Sequence, residues 1–138
     1  TNGYTDVTGL SVNITPNSTS SKILVMTSVN FSHSHGSRCV TRVVRRENST
    51  DSVISQGDAA GNRVQGMMFG RHVEVNGATI PMSIQILDSP STTNALTYKF
   101  QVGRIDSSTL AINMGRNDAN ESTHARGIST ITVMEVAS

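Results

Sequence analysis

Residues 9–31, GLSVNITPNSTSSKILVMTSVNF, decide the fold. Leu10, Val12 and Ile14 alternate with Ser11 and Asn13, and beyond a break Ile23, Val25, Thr27, Val29 and Phe31 take every second position. A period of two places one set on one face of a pleated strand and its neighbours on the other. The break itself is Thr15-Pro16-Asn17-Ser18-Thr19-Ser20-Ser21, where Pro16 has no amide to donate and the short polar side chains bond to local backbone. It reads as a turn or a connection between sheets. The stretch therefore predicts a β-sandwich or jelly roll.

Outward from it, the same alternation recurs. Residues 1–8 read as an entry segment whose one large side chain is Tyr4, ahead of a strand over 10–15 and a second over 22–31. A third strand over 39–47 mixes Val40 and Val44 with Arg42 and Arg46 on one face, and Val43 with Arg45 on the other. Neither face is apolar throughout, which predicts a sheet edge or a contact with another chain. A turn over 48–51 and short strand over 52–56 follow, then a loop over 57–63. Residues 64–75 bring back Met67, Met68, Phe69, Val73 and Val75, interrupted by Gly66 and Gly70, which mark a bulge or close backbone approach. Asn76-Gly77 predicts a tight hairpin into Ile80, Met82, Ile84 and Ile86. Leu96, Tyr98, Phe100 and Val102 alternate with Thr97, Lys99 and Gln101, as in a half-buried strand. Leu110, Ile112 and Met114 follow; after the polar loop 115–127, residues 128–136 are apolar in both registers and predict a strand covered on both sides. About eight strands at intervals near ten residues, with no helical segment, predict an all-β, antiparallel sandwich or jelly roll in one domain spanning residues 1–138.

Composition agrees. Of 138 residues only 15% are charged and 4% aromatic, and the good helix formers are scarce. The single cysteine, Cys39, excludes an internal disulfide framework, so stability rests on packing or association; association is expected. A net charge of +1 offers no electrostatic handle on nucleic acid or an anionic membrane. The longest wholly apolar run, Ile23-Leu24-Val25-Met26, is far below the ~18 residues of a spanning helix, and no membrane insertion is expected. Nothing at the start resembles a secretory leader.

Three segments, GLSVNITPNSTSSKIL at 9–24, LDSPSTTNALTYKFQV at 87–102 and ISTITVMEV at 128–136, resemble a domain of tailed bacteriophages, especially phages of cyanobacteria and other marine bacteria. In that family such domains form the C-terminal heads of tail fibres and other exterior virion proteins, and similar modules serve as head decoration proteins. The resemblance implies a trimeric jelly roll similar to C1q and tumour-necrosis-factor heads, located on the virion exterior. Its partners would be two sister copies, other proteins of the capsid or tail, and a host cell-surface glycan. The expected role is a non-enzymatic fibre or knob head contacting the host. The runner-up is a trimeric capsid decoration, or cement, protein, favoured by a chain that begins almost at its first strand where fibre proteins carry a long shaft. A secreted C1q-like glycan-binding module is third.

Several side chains are candidates for binding. His33 and His35 sit at i and i+2, and three copies about an axis would supply six imidazoles to an octahedral metal; a plain polar loop is the competing reading, and no other cofactor is expected. Loop residues Asp58, Asn62 and Arg63, with Arg116, Asn117, Asp118 and Asn120, have the side chains that bond sugar hydroxyls. Arg42, Arg46, Met67, Met68 and Phe69 are the expected trimer contacts. Arg38, Arg42, Arg45 and Arg46 also suit an anionic ligand, or pairing with Glu47, Asp51, Glu74 or Glu135. For catalysis there is no Gly-x-Ser-x-Gly elbow, His-Glu-x-x-His or phosphate loop, and Asp58, Asp88, Asp106 and Asp118 cannot be paired from sequence. No enzymatic activity is expected.

Overall fold

The structure, a computed structural model, describes residues 3–33, 38–71, 79–105, 109–124 and 126–137. Among them are nine strands and no helix: β1 (Tyr4–Ile14), β2 (Lys22–His33), β3 (Arg38–Glu47), β4 (Thr50–Val53), β5 (Met68–Arg71), β6 (Ile80–Asp88), β7 (Leu96–Arg104), β8 (Leu110–Ile112) and β9 (Thr130–Val136). All pairings are antiparallel. One sheet runs β1-β7-β3-β4, with β5 also on β3; the other runs β6-β2-β8, with β9 also on β2. Only β3 and β4 are neighbours both in sequence and in a sheet, so most of the chain crosses between layers.

The alternating residues of the opening stretch define the core. Ile23, Val25 and Val29 of β2 meet Leu10 of β1, Val43 of β3, and Leu96, Tyr98 and Phe100 of β7. Each sheet thus buries one face against the other, the two-layer arrangement of a β-sandwich. One polar tie crosses the layers. Arg45 on β3 donates through Nη1 to both carboxylate oxygens of Asp88 on β6, at 2.9 and 2.8 Å, and the Tyr98 hydroxyl donates to Asp88 Oδ2 at 2.7 Å. Burial first, and then its bond to Asp88, pushes the Tyr98 pKa far above that of an ordinary phenol, so it stays a neutral donor.

Several expectations are corrected here. β1 begins at Tyr4 because a register shift between Asp6 and Ser11, with Gly9 at φ +83°, carries the chain through a bulge and onward along β7. β3 is interior, flanked by β7 on one side and by β4 and β5 on the other. Its arginines do not guard an edge. The turn before β4 is only Asn48-Ser49, with φ of +47° and +69°, the positive pair that a two-residue type I′ hairpin requires. β5 and β6 belong to different sheets and are not the arms of one hairpin; Asn76 and Gly77 themselves lie outside the described residues. β7 is buried on both faces, since Lys99 and Gln101 are enclosed along with Tyr98 and Phe100. β9 turns Ile131 and Val133 inward, while Met134 and Val136 remain exposed.

Candidate functional site

The outer face of the five-stranded sheet carries a continuous chain of polar groups, built because β1, β7, β3 and β4 place alternate side chains in register. Asp6 lies opposite Gln101, Gln101 opposite Arg42, and Arg46 opposite Asp51. Arg42 Nε donates to Gln101 Oε1 at 2.6 Å, and Gln101 Nε2 donates to Asp6 Oδ1 at 2.6 Å. Lys99 Nζ then bridges Asp6 Oδ2 and Asp51 Oδ2, each at 3.0 Å. Arg46 closes the chain on Asp51 with two bonds, at 2.6 and 3.1 Å. At the other end the Arg42 guanidinium lies 3.8 Å from the centre of the Tyr4 ring, whose hydroxyl donates to Gln65 O at 2.6 Å.

The electrostatics follow from these contacts. Burial works against the charge on Lys99, but its two carboxylates outweigh it and hold the pKa above the ordinary lysine value. Asp6 is held below the usual carboxylate range by the Gln101 amide first and by Lys99 next; Asp51 is held low chiefly by Arg46. Burial raises Tyr4, opposed by the Arg42 charge. Lys99 held as an ammonium between two carboxylates is a clamp between strands and neither a base nor a nucleophile.

The candidate binding loops are anchored toward the same end of the strands, one on the start of β3 and the other on the end of β2. Loop 57–66 is pinched at its neck by Gly57 N to Gly66 O and by Gln65 Nε2 to Gly57 O, and leans over the sheet onto Tyr4 and Val40. Asp58, Asn62 and Arg63 are exposed on it. Loop 113–127 hangs from the end of β2, through Asn113 N to Asn30 O, Asn30 Nδ2 to Ile128 O and Ser32 Oγ to Met114 O. Within it Asp118, at φ +42°, accepts from Arg126, while Arg116, Asn117 and Asn120 face solvent. Two polar loops on rigid strands, with the exposed amides of Asn62, Asn117 and Asn120 and the exposed guanidinium of Arg116, suit hydroxyl-bearing ligands.

The remaining expected residues divide. Arg42 and Arg46 join the network on the outer sheet face, and Met67 packs against the core. His35 and the side chains of His33, Met68 and Phe69 lie outside the described residues. No group of three or more His, Cys, Asp or Glu that could hold a metal occurs among the described residues. Of the expected arginine pairings Arg46 on Asp51 is present, whereas Arg45 pairs with Asp88 in the opposite sheet, a partner the sequence did not suggest.

What sequence reading missed is the outer face of the four-stranded sheet. Leu24 on β2 lies between Leu87 on β6 and Met134 on β9, and Leu87 and Met134 are 52% and 53% exposed. The signal was the apolar second register of 128–136, joined to Leu24 and Met26 between the core positions of β2. No protein-family model matches the chain, and no curated protein is similar to it in sequence.

Proposed function

We propose that this chain is a non-enzymatic structural protein of the exterior of a tailed-phage virion, a homotrimeric jelly-roll head that turns its loops toward the host surface. The reading is carried by the unequal treatment of its two outer faces. One is sealed by its own ion pairs, whereas the other leaves Leu24, Leu87, Met134 and Val136 without a covering layer. An uncovered apolar sheet face on a small domain is an association surface. Sister copies remove the exposed area, and a closed symmetry limits the assembly to a fixed number.

Exposed Arg116, Asn117 and Asn120, with Asp58, Asn62 and Arg63, support a glycan contact at the loop end, the usual placement of recognition on a rigid scaffold. Antibody against the purified chain, imaged on particles of the phage that encodes it, tests the assignment. Label at fibre tips is the expected result. Label over the head lattice assigns the chain to capsid decoration instead, and unlabelled particles overturn the virion reading altogether.

A further inference from the structure

At one border of the sandwich the two layers part. β1 is an edge of the five-stranded sheet and β8 lies at the border of the other, and no pairing joins the two among the described residues. Between the start of β1, the end of β7 and β8 lies a cleft of about 380 Å³. That is at the small end of the roughly 300–1,000 Å³ that small-molecule sites span. Its floor continues the core, since Val7, Val102 and Ile112 pack against the buried cluster and Leu110 shares the inner face of β8. Two wall residues break that pattern. Thr5 stands opposite Val102 and shares its face, and Arg104, two positions beyond Val102 on β7, projects from the same face. Core packing calls for neither a hydroxyl nor a guanidinium at such positions, whereas a polar ligand between the layers uses both.

We infer that this cleft binds one acidic sugar residue of a surface glycan, with its carboxylate on Arg104, a ring hydroxyl on Thr5 and its C–H face on Val102, Leu110 and Ile112. The inference rests on the glycan contact proposed above and names the ligand class and the place. A guanidinium has five donors in a planar fork, so Arg104, which is also engaged within the chain, has the capacity to hold a carboxylate as well. Asp6, the one carboxylate among the described residues of the wall, is bonded to Gln101 and Lys99, and the ammonium offsets its repulsion of an anion.

The choice of ligand follows from what else lines the space. No aromatic side chain does so among the described residues, so a nucleobase has no stacking partner there. A wholly apolar ligand would strip water from Thr5 and Arg104 and return no bond. The location agrees. Tyr4, at the start of β1, bonds to Gln65 of loop 57–66, and β8 leads directly into loop 113–127, so the cleft lies between the anchors of the two candidate loops.

Glucuronic acid and glucose differ only in a carboxylate that replaces a hydroxymethyl group, and titrating each into the full chain, followed by two-dimensional NMR, tests the inference. Glucuronate is expected to bind at least roughly tenfold more tightly than glucose and to shift the methyl signals of Val102, Leu110 and Ile112. In Arg104→Gln the preference is expected to vanish, while Arg116→Gln, on the loop, keeps it. Leu110→Trp, which fills the cleft, is expected to lose both sugars with the β-type circular dichroism unchanged. The wild-type shift map is a readout that does not depend on any variant folding. Equal affinity for the two sugars, or a preference that survives in folded Arg104→Gln, overturns the acidic class. Shifts confined to residues 58–63 and 116–120 overturn the cleft and leave the loop contact standing. No response to either sugar overturns the inference, and label at fibre tips in the imaging above keeps the virion reading apart from that failure.

Discussion

Replacing Lys99 by methionine removes an ammonium that holds three strands at once, while keeping most of the aliphatic stem. Lys99 on β7 reaches Asp6 on β1 and Asp51 on β4, each at 3.0 Å, with its side chain only 9% exposed. Breaking a fully buried ion pair costs roughly 3–5 kcal/mol, and an exposed pair contributes about 0–1. This site lies between. The lysine is buried, but Asp6 and Asp51 are 49% and 31% exposed and regain water when abandoned. Each also keeps a partner, Asp6 the amide of Gln101 and Asp51 the guanidinium of Arg46. The expected loss is therefore about 2 kcal/mol, or roughly 6–8 °C in Tm for a domain of this size.

The chain has no tryptophan, so urea unfolding is followed by far-UV circular dichroism, at one fixed protein concentration because any self-association adds to apparent stability. A double-mutant cycle with Asp51→Asn separates the bridge from general effects of substitution, and a coupling of about 1 kcal/mol is expected. A Lys99→Met variant within about 0.5 kcal/mol of wild type, or a cycle with no coupling, would refute the clamp and reduce the network to solvated surface pairs.

Three further outcomes follow from local geometry. A Cβ at Gly66 would sit 1.8 Å from Cγ2 of the buried Val40, so Gly66→Ala is expected to destabilise by about 1–3 kcal/mol; Val40→Ala in the same chain should relieve part of it, measured by the same unfolding midpoint. Ser49 holds φ +69° in the β3–β4 turn, so Ser49→Gly is expected to stabilise by about 0.5–1 kcal/mol in thermal melts. The folded-state pKa values of Asp6 and Asp51 lie below the ordinary 3.8, so their stabilisation is complete above that pH and is lost as pH falls through the lowered values. Lys99 is raised above 10.5, so its share is complete below that pH and is lost as pH rises through the raised value. Stability measured against pH should fall off at both limits, with a shallower acid limb in Lys99→Met.

The core was legible because it is local and periodic. Leu10, Val12 and Ile14, then Ile23 to Phe31, point inward at every second residue, and no distant partner is needed to see it. Gly66 was legible as a close approach for the same reason, since only a missing side chain fits against Val40. β3 was misplaced because alternation assigns polar positions to water. Arg42 and Arg46 look like edge guards in a string of letters, yet their partners stand at Gln101 and Asp51, and that of Arg45 at Asp88. A charge paired with a residue far along the chain, as Arg45 is with Asp88, carries the same local signature as a charge in solvent. β1 was shortened because Asp6 and Gly9 interrupt its period, and the bulge that absorbs them depends on β7. The loops could be chosen by composition, but their internal closure, such as Arg126 on Asp118, depends on a fold that composition does not contain.

The low charge of the chain takes on meaning once the two outer faces are compared. Five charged side chains are gathered on the five-stranded sheet, where Lys99 and Arg46 pair with Asp6 and Asp51 within a single copy and Arg42 is held by Gln101 and the Tyr4 ring. Pressing that face against a neighbour would desolvate groups whose bonds are already made, a cost with no new pairing to offset it. The four-stranded sheet has the opposite balance: its rows of Leu, Met, Ser and Thr lose little on leaving water, and Leu87 and Met134 gain from it. At about 25 cal/mol per Å² of apolar surface, covering even 100 Å² of that row on each copy contributes roughly 2.5 kcal/mol per copy. An apolar outer face on one sheet and an ion-paired one on the other thus arise from the same alternation that builds the strands, because each strand must send its second set of side chains somewhere, and the two sheets send theirs to chemically opposite ends.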